Sequence, residues 1–251
     1  MDSTMVMAMA SRRWGNVVRQ SYRYASRNSM PNRIYLVGSE KGGVGKTSLS
    51  FNLAVLRATA GYSVLLVDAD KQASSAMWAS LRTEGGFLPA LICVQKQGKI
   101  GSDLLGLKDN YEVIVDAGGA DSVELRQAIA VADRWIIPVR AGQLDLFSIA
   151  KMAQLMEDVH ERIGRTPDTS VVLNAVSPST REAEEAREML SDNVRMPVMQ
   201  AQIVDRVAMR RAVMAGCGIT ELTGRNYNDV AAGEMMALYA EVFGDVFHVS
   251  R

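Results

Sequence analysis

One stretch constrains this chain more than any other: Glu40, Lys41, Gly42, Gly43, Val44, Gly45, Lys46 and Thr47. An apolar run, Ile34, Tyr35, Leu36 and Val37, precedes it, and leucines at helical spacing, Leu49, Leu53 and Leu56, follow. Strand, glycine-rich turn and helix form the setting of a phosphate-binding loop. Glycines let the backbone curl until successive N–H groups face one anion, and the helix N-terminus adds a positive dipole. In such a loop Gly42, Gly43, Val44, Gly45, Lys46, Thr47 and Ser48 surround the phosphates. Lys46 lies against the β- and γ-phosphates, and the Thr47 hydroxyl ligates Mg2+. The general pattern asks for glycine where this chain has Glu40, and Lys41 is an extra lysine just ahead of the double glycine.

From residue 33 onward, strand-like and helix-like segments alternate. Apolar runs at 33–38, 63–68, 91–94, 111–116, 134–139, 170–176 and 198–204 predict strands. Helical periodicity falls at 46–60, 74–83, 101–107, 121–132, 143–163, 180–193, 206–215 and 228–243. The alternation predicts an α/β fold, a mostly parallel sheet with helices on both faces, whose ligands bind at the C-terminal strand ends. There is no repeat, low-complexity tract or internal linker. The expected organisation is one domain over 33–251 behind an N-terminal extension, 1–32.

Two of the predicted strands end in carboxylates. The run Ser63 to Val67 leads into Asp68, Ala69, Asp70, Lys71 and Gln72. One aspartate of that pair can face Mg2+ while the other orients an attacking water; a turn or helix-cap role is the alternative. The run Tyr111 to Val115 delivers Asp116, then Ala117, Gly118 and Gly119. A carboxylate at the end of an apolar strand is the second element of a phosphate-loop NTPase, holding Mg2+ through water. The glycines behind it can move when the γ-phosphate is lost.

Composition narrows the class. Of the 251 residues 48% are apolar but only 6% aromatic, which suits an aliphatic α/β core. No apolar run is long enough to suggest a membrane span. Cys93 and Cys217 lack metal-ligand spacing and suit a reducing cytoplasm as buried small hydrophobes. Net charge is zero, yet the first 33 residues hold six arginines and one aspartate, leaving 22 basic against 27 acidic residues in the remainder. A nucleic-acid contact by the core therefore needs a local patch. Three readings of 1–32 stand side by side: a poorly ordered extension, for which Met30 is a candidate later start, a basic arm touching DNA or an acidic surface, and a cleaved targeting peptide. His160 and His248 receive no role.

With these motifs in this order, the chain closely resembles the ParA/MinD family of deviant-Walker ATPases, whose hallmark Lys-Gly-Gly-x-Gly-Lys-Thr is Lys41 to Thr47 here. The resemblance runs through Val64 to Gln72, Tyr111 to Gly119, Ile136 to Val139, Val171 to Asn174 and Arg206 to Leu222, covering 33–243. It implies ATP and Mg2+ as cofactors and a homodimer closed by ATP, in which Lys41 reaches the phosphates of the facing subunit. Physics favours that reading: two lysines on one tight loop are costly unless dense negative charge lies between them. By the same likeness Asp70 positions the attacking water, Lys41, Lys46 and Asp70 form the catalytic set, Thr47, Asp70 and Asp116 face the metal, and Asn174 touches adenine.

Within the family the chain looks most like the small plasmid and chromosome partition ATPases. These are cytoplasmic, nucleoid-associated proteins whose ATP dimers bind DNA non-specifically until a ParB-like centromere-binding protein stimulates hydrolysis. Arg206 and Arg210, spaced i and i+4 with Arg211 beside them, form the candidate DNA contact; ion pairing with Asp205 and Glu221 is the alternative. The runner-up is a MinD-like membrane-positioning ATPase, but the tail from Ala237 to Phe247 is apolar and acidic and reads as a docking helix, so no stable membrane association is expected. A third reading is a scaffold that uses ATP only to select its partner. The absence of paired cysteines argues against a metal-insertion ATPase.

Overall fold

The structure, a computed structural model, describes residues 31–119, 121–141, 146–178, 181–192 and 195–245. The expectations for 1–30 and for the tail beyond 245 lie outside them. Among the described residues seven parallel strands form one sheet: β1 Ile34–Val37, β2 Val64–Ala69, β3 Ile92–Gln95, β4 Glu112–Ala117, β5 Arg134–Val139, β6 Asp168–Val176 and β7 Val198–Val204. Their spatial order is β3-β2-β4-β1-β5-β6-β7. The helices are α1 Lys46–Thr59, α2 Ser74–Glu84, α3 Gly101–Lys108, α4 Val123–Val131, α5 Leu146–Ile163, α6 Glu182–Leu190, α7 Val207–Ala215 and α8 Asp229–Phe243.

Each strand residue chooses a face by parity. Tyr35 and Val37 of β1 join the layer built by α1, α2, α7 and α8, where Phe51, Leu53, Trp78, Met235 and Tyr239 pack. Ile34 and Leu36 point the other way, into Leu104, Leu125, Ile129, Met152 and Met156 from α3, α4 and α5. Both faces are covered, which is why the strands read as continuous apolar runs rather than alternating ones. Phe51 and Trp78 stack at 4.3 Å between ring centroids and join α1 to α2.

Helix ends follow the local chemistry. Ser122 accepts from the Leu125 amide and starts α4, and Asn228 accepts from the Ala231 amide and starts α8. At the far end of α1, buried Arg57 donates to Glu112 on β4 through Nη2 at 2.8 Å and also through Nε. The same guanidinium reaches the Tyr239 hydroxyl at 3.1 Å and Asp245 at 2.5 Å, and stacks over Tyr62. This cluster ties α1, β4 and α8 together on the side of the sheet away from the glycine-rich loop.

The strand order puts the chemistry in one place. β1 lies between β4 and β5, so the chain crosses over in opposite directions on its two sides and opens a crevice at the carboxyl edge. Into that edge run the glycine-rich loop after β1, the aspartates ending β2 and β4, Arg140 after β5, and Asn174 near the end of β6. Among the described residues no helix is long and apolar enough to cross a membrane.

Candidate functional site

The glycine-rich loop starts α1 without a side-chain cap. Gly45 is the residue before the helix and sits at φ 90°, left-handed, with no capping hydrogen bond to the first-turn amides. A Cβ there would stand 2.1 Å from the Asn174 amide nitrogen, so conformation and space both require glycine. The helix therefore presents uncapped N–H groups at the crevice, the arrangement an anion needs. Lys46 is 7% exposed, and its ammonium donates to the Lys41 carbonyl at 3.1 Å. Burial lowers its pKa, opposed by the charges of Asp116 and Asp70.

Beside it stands a fully buried carboxylate, Asp116. The Thr47 and Ser75 hydroxyls both donate to its Oδ2, each at 2.7 Å. Burial pushes this carboxyl up to about 6 against the pull of the two hydroxyls, with Asp68 adding to the rise and Lys46 opposing it. Oδ1 is buried with no hydrogen-bond partner among the described residues. An orphaned carboxylate oxygen beside a threonine hydroxyl is an oxygen-only donor set, the kind Mg2+ takes with its waters and substrate phosphates. The residues fit that ion: Thr47 and Asp116 would hold it.

The two aspartates ending β2 divide their work. Asp68 is fully buried and spent on the backbone, accepting from the Asp70 amide at 3.1 Å and the Ala76 amide at 2.9 Å. It fixes the start of α2, the helix-cap alternative that the sequence left open. Burial raises its carboxyl as well. Asp70 is only partly buried; its Oδ1 accepts from the Gln72 amide at 2.9 Å. A Cβ on Gly118 would sit 3.2 Å from the Asp70 Cγ, so glycine at this position lets the turn after β4 close onto Asp70.

Glu40, where the general loop pattern has glycine, pairs with Lys151 on α5 at 2.9 Å and keeps its Oε2 buried without a partner among the described residues. Lys41 is half-buried and lines a small apolar slot with Val44, Ile137, Val139, Ile149 and Met152.

Asn174 lies 5% exposed in the crevice, and its amide donates to the Val44 carbonyl at 2.7 Å. Its Nδ2 thus holds the loop. The β6–β7 register slips on either side of it, and Ala175 adopts φ 51°, a strained value for alanine that bends the strand end. Between this bend, the start of α1 and the β7–α7 corner lies a cleft of about 170 Å3, lined by Gly45, Ser48, Arg140, Asn174, Ile203 and Arg210.

The arginine series differs from its sequence reading. Arg206 has extended backbone at φ −125° and ψ 143° and precedes α7, so the i, i+4 face shared with Arg210 does not exist. Its guanidinium donates to Glu234 on α8 at 2.7 Å. Arg210 pairs with Asp205 at 2.6 Å and Arg211 donates to Asn226 at 3.2 Å, both exposed. Glu221 pairs with Arg82 instead, at 2.7 Å. Ser75 escaped the sequence reading, whereas the cap formed by Asp68 is the alternative it held open. The one signal for Ser75 was the Ser74–Ser75 pair at a helix start, which reads as capping.

Comparison with known proteins agrees with this geometry. The family described as the CobQ/CobB/MinD/ParA nucleotide binding domain matches residues 35–217. "Maintenance of carboxysome distribution protein A" of Gloeobacter kilaueensis is 33% identical over 80% of this chain and 89% of its own length. "Protein ParA" of Rhizobium radiobacter is 28% identical over 82% and 94%. Among solved structures, an ATP complex of a Cyanothece McdA variant shares the fold at a TM-score of 0.69, with 15% identity over 89% of this chain and 100% of that one. Other structures of this fold hold AMPPNP, or an ATP analogue with magnesium. From the loop to the buried Asp116 and across the matched span, this chain belongs to the CobQ/CobB/MinD/ParA nucleotide-binding family.

Proposed function

We propose that the chain is an ATPase of the partition and positioning type, working as a nucleotide-driven switch between monomer and dimer. The observation that carries the reading is the pair of lysines on one loop: Lys46 occupies the position beside Asp116, while Lys41 stands ahead of the double glycine. In this reading Lys41 leaves its slot when two copies close face to face and completes the partner's nucleotide site. Asp70 holds the water that attacks the γ-phosphorus. The bond to the bridging oxygen breaks, and the water proton leaves with inorganic phosphate. Mg2+, when bound, neutralises charge on the β- and γ-phosphates. Lys41 and Lys46 stabilise the charge that moves to the leaving diphosphate, so catalysis rests on positioning. The cleft at Asn174 and Arg140 takes the base and ribose.

DNA is the surface this reading assigns to the dimer, with Arg210 and Arg211 as exposed contacts and a ParB-like protein as the trigger for hydrolysis. The carboxysome-distribution relative supports the broader class, the positioning of a cargo. Against the membrane alternative, α8 is spent on the core: Met235, Leu238, Tyr239 and Val242 are buried, and Phe243 packs edge-on against Tyr35.

The test is sedimentation with and without ATP, followed by co-sedimentation with DNA and with anionic vesicles. Wild type is expected to dimerise and pellet with DNA only when ATP is present. Lys41→Ala should bind ATP and stay monomeric, and Asp70→Ala should dimerise without turnover. An ATP dimer of Lys41→Ala, or wild-type turnover in Asp70→Ala, refutes the assigned roles; vesicle binding in place of DNA binding refutes the surface.

A further inference from the structure

Ser75 is a buried hydroxyl in the site to which the ATPase reading gives no role. It is fully buried in the first turn of α2, the helix whose start Asp68 already caps through the Ala76 amide. Capping therefore does not need it. Its hydroxyl instead crosses to the neighbouring strand and donates to Asp116 Oδ2 at 2.7 Å, the oxygen that Thr47 also contacts at 2.7 Å. Two donors converge on one carboxylate oxygen while the other, Oδ1, is buried and unpartnered among the described residues. That asymmetry fixes the rotation of the carboxylate plane and leaves one oxygen without a protein partner among the described residues.

The same contact ties down Asp70. The turn carrying Asp70 leaves β2 at Ala69 and enters α2 at Ser74. Asp68 grips it at one end and the Ser75–Asp116 bond at the other, so the two aspartates of the site are braced against each other through one hydroxyl.

We propose that the Ser75 hydroxyl is a positioning group for the divalent cation of the nucleotide, holding Asp116 so that its second oxygen meets the ion's hydration shell. This rests on the ATPase reading above. Removing such an outer partner of a metal-facing ligand typically weakens metal affinity by about 10–100-fold. Alanine is a better helix former than serine and leaves α2 intact, so Ser75→Ala isolates the hydroxyl.

The experiment is binding of a fluorescent ATP analogue to the full chain, titrated with MgCl2 from an EDTA baseline and read by anisotropy. Ser75→Ala is expected to raise the Mg2+ concentration at half-effect about tenfold while leaving affinity in EDTA within about twofold of wild type. Ser75→Thr, which keeps the hydroxyl, is expected to titrate like wild type. An unchanged Mg2+ titration in Ser75→Ala overturns the proposal. So does an equal shift in Ser75→Ala and Ser75→Thr, because packing and not the hydroxyl would then set the affinity. If wild type itself binds the analogue with no Mg2+ dependence, the ATPase reading falls too, and the two failures are distinct.

Discussion

Asp116→Asn isolates what the buried carboxylate costs the fold before any ligand binds. Burial lifts its carboxyl from 3.8 to about 6 in the folded chain. The folded state thus favours the protonated form, so this residue's contribution is fully present below about pH 4 and lost as pH rises through about 6. That rise corresponds to about 3 kcal/mol at neutral pH, roughly half of it appearing between about pH 5 and pH 8. Asparagine keeps an oxygen for the Thr47 and Ser75 hydroxyls but puts an amide where Oδ1 has no partner, an offset of about 1–3 kcal/mol that does not vary with pH. The pH slope is therefore the signature. Urea denaturation of wild type and Asp116→Asn in EDTA, without nucleotide, should show wild type losing ground to the variant by roughly 1–2 kcal/mol from about pH 5 to pH 8. Carboxylates remote from Asp116 titrate alike in both proteins and cancel in the difference, leaving Asp116 and the Asp68 charge coupled to it. A difference that stays flat across this range refutes the reasoning. With Mg2+ and nucleotide added, wild type should gain stability by ligand linkage and Asp116→Asn should gain far less.

Gly45→Ala forces a left-handed alanine whose Cβ would stand 2.1 Å from Asn174. It should abolish binding of a fluorescent ATP analogue, and wild-type affinity would contradict the loop geometry. Arg57→Met strands Glu112, itself 4% exposed, without its cation. It should lower unfolding free energy by about 3–5 kcal/mol in urea, with Glu112→Gln in the same chain recovering part; a loss below about 1 kcal/mol refutes the clamp. Arg210→Ala and Arg211→Ala should each flatten the salt dependence of DNA binding by about one unit of log–log slope without changing Tm. Arg206→Ala should instead lower Tm by unpairing Glu234, and the opposite pattern would return Arg206 to the contact surface.

The inner strands are legible in the sequence because a parallel sheet covered on both faces needs runs such as Ile34 to Val37 or Val113 to Val115, buried at every position, whereas the edge strand β3 is half-exposed and is read from its short apolar run alone. Helix faces are less legible. The spacing of Arg206 and Arg210 places them together only if both lie within a helix, and Arg206 has extended backbone one residue before α7 begins. The pair Asp68 and Asp70 is ambiguous for a related reason. Both precede a helix and both are candidates for the site, but Asp68 is still inside β2 and its side chain is captured by the start of α2.

Contacts that cross the sheet are the least legible, since their partners are set by strand order rather than by spacing. Nothing near Asn174 says that its amide belongs to the Val44 carbonyl; β6 reaches the loop only because β5 lies between it and β1. Ser75 shows the limit most sharply. Read along the chain, a serine pair at the start of a helix means capping. Yet β2 lies beside β4 in the register that sets Asp68 opposite Asp116, so the helix leaving β2 starts beside both carboxylates. Asp68 takes the cap, and Ser75, relieved of it, turns to the carboxylate across the strand boundary. The same residue type at the same helix position does different work according to which strand lies next door.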